Sequence, residues 1–206
     1  MPYSDFNLAR ARDNFGLTLA ENQDLFARVA PIAPSETLKA ILTDYIPLAT
    51  AIATEKARSE FLIAPILAEV RRQLNNQIAL FSGNEFPVDP ELGLHGFCDY
   101  IISASPEQLL ITAPVMMIVE AKREDIIGGL GQCIAAMVAA QLFNQRQGNE
   151  VTPIYGAVTT GTNWKFLTLS EKTVAVDRVE YFINQLEKIL GILMEPFKRS
   201  PAMVSG

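Results

Sequence analysis

Val115-Met-Met-Ile-Val-Glu-Ala-Lys122 is the stretch whose reading decides the fold. Side chains alternate along a strand, so Glu120 and Lys122 share one face while Val119 and Ala121 share the other. Five apolar residues precede Glu120 without a polar break, which predicts a strand buried on both faces. A carboxylate and an amine at the end of such a strand have two explanations. One is a strand-end ion pair that serves only stability, and the other is a functional site.

The whole chain narrows the choice. Its 206 residues suit one domain with an extension, and 49% apolar content is enough to build a substantial core. No unbroken apolar stretch reaches the ~18 residues of a membrane span, and Met-Pro-Tyr-Ser-Asp-Phe-Asn at the start lacks the pattern of a secretory signal. With only Cys98 and Cys133, a disulfide scaffold is not expected, and the expected location is the reducing cytoplasm, with no membrane partner. Neither cysteine has a Cys or His at ligand spacing and the single histidine, His95, reads as a loop residue, so a zinc site is not expected. The net charge of −6 argues against a broad nucleic-acid surface. Between Arg72 and Lys122 there is no Lys or Arg, while Glu85, Asp89, Glu91, Asp99, Glu107 and Glu120 lie inside or at the end of that interval. Such a segment attracts a cation and repels a bare phosphate.

Working outward, Ser35-Glu36 reads as the cap of a helix reaching Tyr45, and Pro47 as the first turn of a second helix running to about Leu74, with a kink at Pro65. On a continuous helical wheel Leu48, Ile52, Leu62, Ile66 and Val70 form one face and Glu55 falls within it. A carboxylate on a core-facing stripe costs desolvation unless paired or ligated. Glu55 therefore either snorkels to a local partner such as Arg58 or Ser59, or belongs to a site. Phe81-Ser-Gly-Asn-Glu-Phe-Pro reads as a turn-rich connection, followed by a strand around Phe97 to Ser103. Asp99 has apolar neighbours there, although Asp is a poor strand former, which marks a bulge or a site. An antiparallel pairing of this strand with 115–122 would bring Asp99 to Glu120.

After Lys122 a long helix is expected over about Ile126 to Gln147, with Ile127, Leu130, Ile134, Met137, Val138 and Leu142 at helical spacing and Gln132 facing the strand end. Gly128, Gly129 and Gly131 match neither the dinucleotide fingerprint nor a P-loop, so close helix–sheet packing is the preferred account. Thr152 to Leu169 reads as a hairpin turning at Thr160-Gly-Thr-Asn163, and Asp177 to Met194 as a helix covering the sheet.

Taken together, Glu55 followed by Pro65-Ile-Leu67, Gly96-Phe-Cys-Asp99-Tyr100, Ile118-Val-Glu-Ala-Lys122, Gln132 and Val158-Thr-Thr-Gly-Thr-Asn-Trp164 resemble the PD-(D/E)XK nuclease superfamily, closest to the nuclease domains of type I restriction enzymes. The resemblance covers roughly residues 50 to 170. It implies a three-layer α/β, restriction-endonuclease-like fold, with a mixed sheet flanked by helices: an N-terminal helical extension over 1–46, the nuclease-like domain over 47–196 and a flexible tail over 197–206. It further implies Mg²⁺, or Mn²⁺, bound by Asp99, Glu120, the Ala121 carbonyl and Glu55, with Lys122 orienting the attacking water and Gln132 holding Lys122 or that water. Cys98 stands where the family's naming proline would be. Trp164 reads as a packing anchor. The implied activity is hydrolysis of nucleic acid, with DNA the expected polymer and a homodimer or protein partner supplying recognition. The alternative is a non-catalytic interaction module that retains the fold, favoured by the acidic balance and the lack of a recognition element.

Overall fold

The computed structural model describes residues 2–198. Eight strands form one mixed sheet: β1 (Thr18–Gln23), β2 (Ala79–Glu85), β3 (Phe97–Ser103), β4 (Val115–Ala121), β5 (Ile154–Thr159), β6 (Asn163–Ser170), β7 (Thr173–Asp177) and β8 (Tyr181–Phe182). The spatial order is β1-β7-β6-β5-β4-β3-β2, with β8 also pairing β6. The β4–β5 and β1–β7 pairs are parallel, and the other neighbours antiparallel. Helices lie on both faces, which makes a three-layer α/β arrangement. On one side are α1 (Leu8–Phe15) and α5 (Ile126–Arg146), and on the other α2 (Glu36–Ile52), α3 (Glu55–Arg58), α4 (Ala64–Gln73) and α6 (Leu186–Met194).

The central strand is what the apolar run predicts: all seven residues of β4 are buried. Ile118 packs into the core under α5 while Met117, Val119 and Ala121 pack into the core under α4 and α6. A register shift interrupts the β3–β4 ladder between Ile102 and Ser103. There the buried Asn144 side chain accepts from the Val115 N–H at 2.7 Å and donates to its carbonyl at 2.8 Å. A side-chain amide thus supplies the backbone partners of Val115.

Several sequence expectations need correction. Pro47 does not open a second helix. Helix α2 continues through it to Ile52, and the break comes at Ala53, a left-handed residue with φ 55°, after which Thr54 caps α3 by accepting the Ala57 N–H. Instead of a simple kink at Pro65, a single π turn over Ser59–Ile63 precedes it and leads directly into α4, with Pro65 in the first turn. Each of these features changes the phase of the helical wheel. Leu62, Ile66 and Val70 are fully buried, but Leu48 and Ile52 are nearly half exposed and Glu55 is exposed.

The Phe81 to Glu85 segment, expected as a connection, belongs to strand β2. The last helix begins at Leu186, because Thr173–Asp177 and Tyr181–Phe182 are strands. The boundary expected at residue 47 falls inside α2, and the N-terminal segment contributes β1 to the sheet edge. Of the expected tail, Phe197 is fully buried, and residues 199–206 lie outside the described residues.

Helix α5 is, by length and apolarity, able to cross a membrane, and 61% of its most apolar window is buried in the fold. Cys133, Ala135, Ala136, Ala139 and Ala140 are all essentially inaccessible. Close approach requires its glycines: a Cβ on Gly131 would stand 2.2 Å from the Asn7 backbone, and one on Gly129 would stand 2.7 Å from Val158 and 2.9 Å from Lys122. These contacts support packing as the reason for the glycines. Across the sheet, Glu69 of α4 accepts the Ser35 N–H at 2.9 Å and hydroxyl at 3.0 Å, and receives Arg72 and Gln73 at 2.6 Å each. Burial pushes this carboxyl up, but the bonds outweigh burial and hold its pKa at about 2.

Candidate active site

The site forms where the β3–β4 ladder ends. Tyr100 pairs with Val119, so the next step of the register sets Asp99 opposite Glu120. Instead of continuing the ladder, Asp99 turns its carboxylate to accept the Ala121 N–H at 2.8 Å. This places it within hydrogen-bonding reach of the Glu120 carboxyl. Lys122, just beyond the strand, donates from Nζ to Glu120 Oε1 at 2.6 Å and to Gln132 Oε1 of α5 at 3.2 Å. Its aliphatic stem runs under Gly129 beside Val158. The structure therefore brings Asp99, Glu120, Lys122 and Gln132 together from two strands, the strand-following turn and a helix.

Glu120 is 2% exposed. Burial, together with the neighbouring Asp99 charge, pushes its pKa up to about 8, with Lys122 opposing. Burial works against the Lys122 ammonium, but Glu120, and further down Glu55 and Asp99, more than offset it and raise its pKa. Burial and the nearby acids also raise Cys98 and Cys133, which keeps both as thiols.

Glu55 reaches the same neighbourhood from the other direction. Its Oε2 accepts the Arg123 N–H at 3.1 Å. With Asp99, Ala121, Ser59, Tyr100 and Ser82 it lines an open pocket of about 330 Å³. Glu120 does not reach that wall. Among the described residues no three His, Cys, Asp or Glu side chains are gathered closely enough to hold an ion between them. Mg²⁺ does not need three, since one or two carboxylates completed by water and substrate phosphate suffice. The all-oxygen donor pair fits that ion, because a cation between Asp99 and Glu120 would offset the burial and the Asp99 charge that raise the Glu120 pKa.

Two residues not singled out as a pair by the sequence complete the pocket. The Tyr100 hydroxyl donates to the Ser59 carbonyl at 2.9 Å and stands 2.7 Å from the Ser59 hydroxyl, which ties the π turn to β3 next to Asp99. A Pro following a helix start was the available signal for that turn. The Thr160-Gly-Thr-Asn163 segment is structural: Arg58 donates to the Thr160 carbonyl at 3.2 Å and to the Thr162 hydroxyl at 3.3 Å, and the fully buried Trp164 donates to the Gly161 carbonyl at 3.3 Å. Two basic residues of the helical segment before β2 are ion-paired within that segment. Lys56 pairs with Glu60, and Arg72 turns to Glu69. No family model matches this chain, and neither a curated protein nor a solved structure matches it.

Proposed function

We propose that the protein is a metal-dependent phosphodiesterase acting on nucleic acid, DNA being the expected polymer, with a site of the PD-(D/E)XK type on a restriction-endonuclease-like sheet. The observation that carries this reading is the meeting of Asp99 and Glu120 at the end of β4 with the Lys122 ammonium 2.6 Å from Glu120. An ion pair built only for stability has no use for the second carboxylate, which repels the first in a buried setting.

Asp99 and Glu120 would hold Mg²⁺ or Mn²⁺, and Ala121 borders Asp99 on the pocket wall. Bound there, the ion would polarise a phosphoryl oxygen and lower the pKa of water. The chain's own residues do the positioning. Lys122, steadied by Gln132, presents a cation where negative charge grows on the phosphate and can orient the attacking water. The Ala121 N–H fixes Asp99 Oδ2 at the end of β4. Glu55 stands at the pocket rim, where its second oxygen can accept from a water.

A second reading, a non-catalytic module that keeps the fold, is favoured by one observation: Lys122 is already engaged by both Glu120 and Gln132. Calorimetric titration with Mn²⁺ separates the two. Binding that Asp99→Ala abolishes, together with metal-dependent cleavage of a labelled oligonucleotide, is the expected result. A wild-type chain that binds no divalent ion sinks the enzyme reading.

A further inference from the structure

Strand register places two cations in line with the carboxylate pair. Glu120 is paired with Val158 on β5, and Val158 with Lys165 on β6. Cross-strand partners point to the same face, and strands are about 4.8 Å apart. Lys165 thus lies on the α5 side of the sheet, two strand spacings, or roughly 10 Å, from Glu120. Its Nζ donates to the carbonyl of Arg178 at 3.2 Å, just past the end of β7. Lys165 and Arg178 share a pocket of about 330 Å³ with Ile127, Leu130 and two acids, Glu21 and the fully buried Asp177, which is held by the Tyr181 hydroxyl. Among the described residues neither cation is ion-paired. Ile127, on the same wall, is 62% exposed, although helical periodicity predicts it in the core.

We propose that Lys165 and Arg178 form a phosphate-binding track that carries one nucleic-acid strand away from Asp99 and Glu120 across the ends of β5, β6 and β7, with Ile127 offering an apolar contact to a base. The track rests on the nuclease reading above and supplies part of the basic surface that the composition lacks. The order along the sheet is carboxylate pair, Lys122, then Lys165 and Arg178; Val158 between them is buried against Gly129, so a strand whose scissile phosphate sits at Lys122 passes over the first turn of α5 to reach the two further cations. Glu21 on β1 closes the far wall, and its charge ends the favourable run beyond Arg178.

The test measures binding of a short fluorescent oligonucleotide, single-stranded and duplex DNA and RNA in turn, by anisotropy across a salt series, with Ca²⁺ in place of Mg²⁺ to keep the polymer intact. In K165Q/R178Q the slope of log K against log salt should fall by about 1.4 to 1.8, as expected for two lost phosphate contacts at ~0.7 to 0.9 each. The charge-preserving K165R/R178K should restore it, and Mn²⁺ affinity should be unchanged in both. The single variant R178Q, at an exposed position, should lose about half of that slope and guards against misfolding of the double variant. An unchanged slope in R178Q and in a folded K165Q/R178Q, with normal binding by the wild type, overturns the track and leaves the nuclease reading standing. A wild type that neither binds nor cleaves any of the polymers removes both.

Discussion

Replacing Glu120 by Gln should change how stability depends on pH, in a direction opposite to that of an ordinary surface acid. In the unfolded chain Glu120 titrates near the usual 4.5, and in the folded chain near about 8. Between those values the folded state holds a proton that the unfolded state has released, so stability falls as pH rises, by about 1.4 kcal/mol per pH unit. Near 4.5 the unfolded acid is only partly ionised, so the loss accumulated from pH 5 to pH 7 is about 2 to 3 kcal/mol.

Glu120→Gln removes the ionisation and keeps an acceptor for Lys122. Urea unfolding of both proteins in EDTA at pH 5, 6, 7 and 8 isolates the effect, because other groups cancel in the difference. Wild-type stability relative to the variant should decline steadily through pH 7 and level off above pH 8. A difference that is flat, or that grows with pH, would refute the raising of Glu120 by burial and the Asp99 charge and restore a simple ion pair with Lys122.

Lys122→Ala should leave Mn²⁺ affinity within a few-fold by calorimetry while cleavage falls by about 10² or more, the usual scale for losing one preorganised electrostatic contact. Loss of metal binding or of the cooperative melt would instead assign Lys122 to stability. Asn144→Ala removes both buried partners of Val115 and should cost about 2 to 4 kcal/mol by urea unfolding, without a change in metal affinity.

The parts of the fold that the sequence revealed are those with strong local patterning. The run 115–119 has no polar break, Thr160-Gly-Thr-Asn163 separates two apolar strands, and the α5 helix repeats at helical spacing over about four turns. Strand β1, Thr-Leu-Ala-Glu-Asn-Gln, is mostly exposed and has no alternation to detect. Four of the seven residues of β2 are exposed, and Ser-Gly-Asn-Glu reads locally as a turn. Both become strands through pairing with distant partners, which local propensity does not encode.

The site was legible where short-range spacing sets it. Glu120 and Lys122 follow from the strand period, and Gln132 from the first turns of the next helix. Asp99 required only that two consecutive strands be antiparallel. Glu55 is exposed because the left-handed break at Ala53 and the π turn over Ser59–Ile63 shift the phase that a continuous helix would carry. Lys165 could not be placed beside Glu120 without the register of three strands, although the Thr160 to Asn163 turn sets one part of it.

The parallel pairing of Thr18 with Thr173 has a consequence for the order of events during synthesis. Strand β1 leaves the ribosome long before β7, its sheet partner among the described residues, and stays unpaired until β7 emerges. Its polar residues suit that interval, because a hydrophobic strand held open for so long would be a target for other chains. This edge of the sheet is therefore closed by residues made well before the strand they pair with.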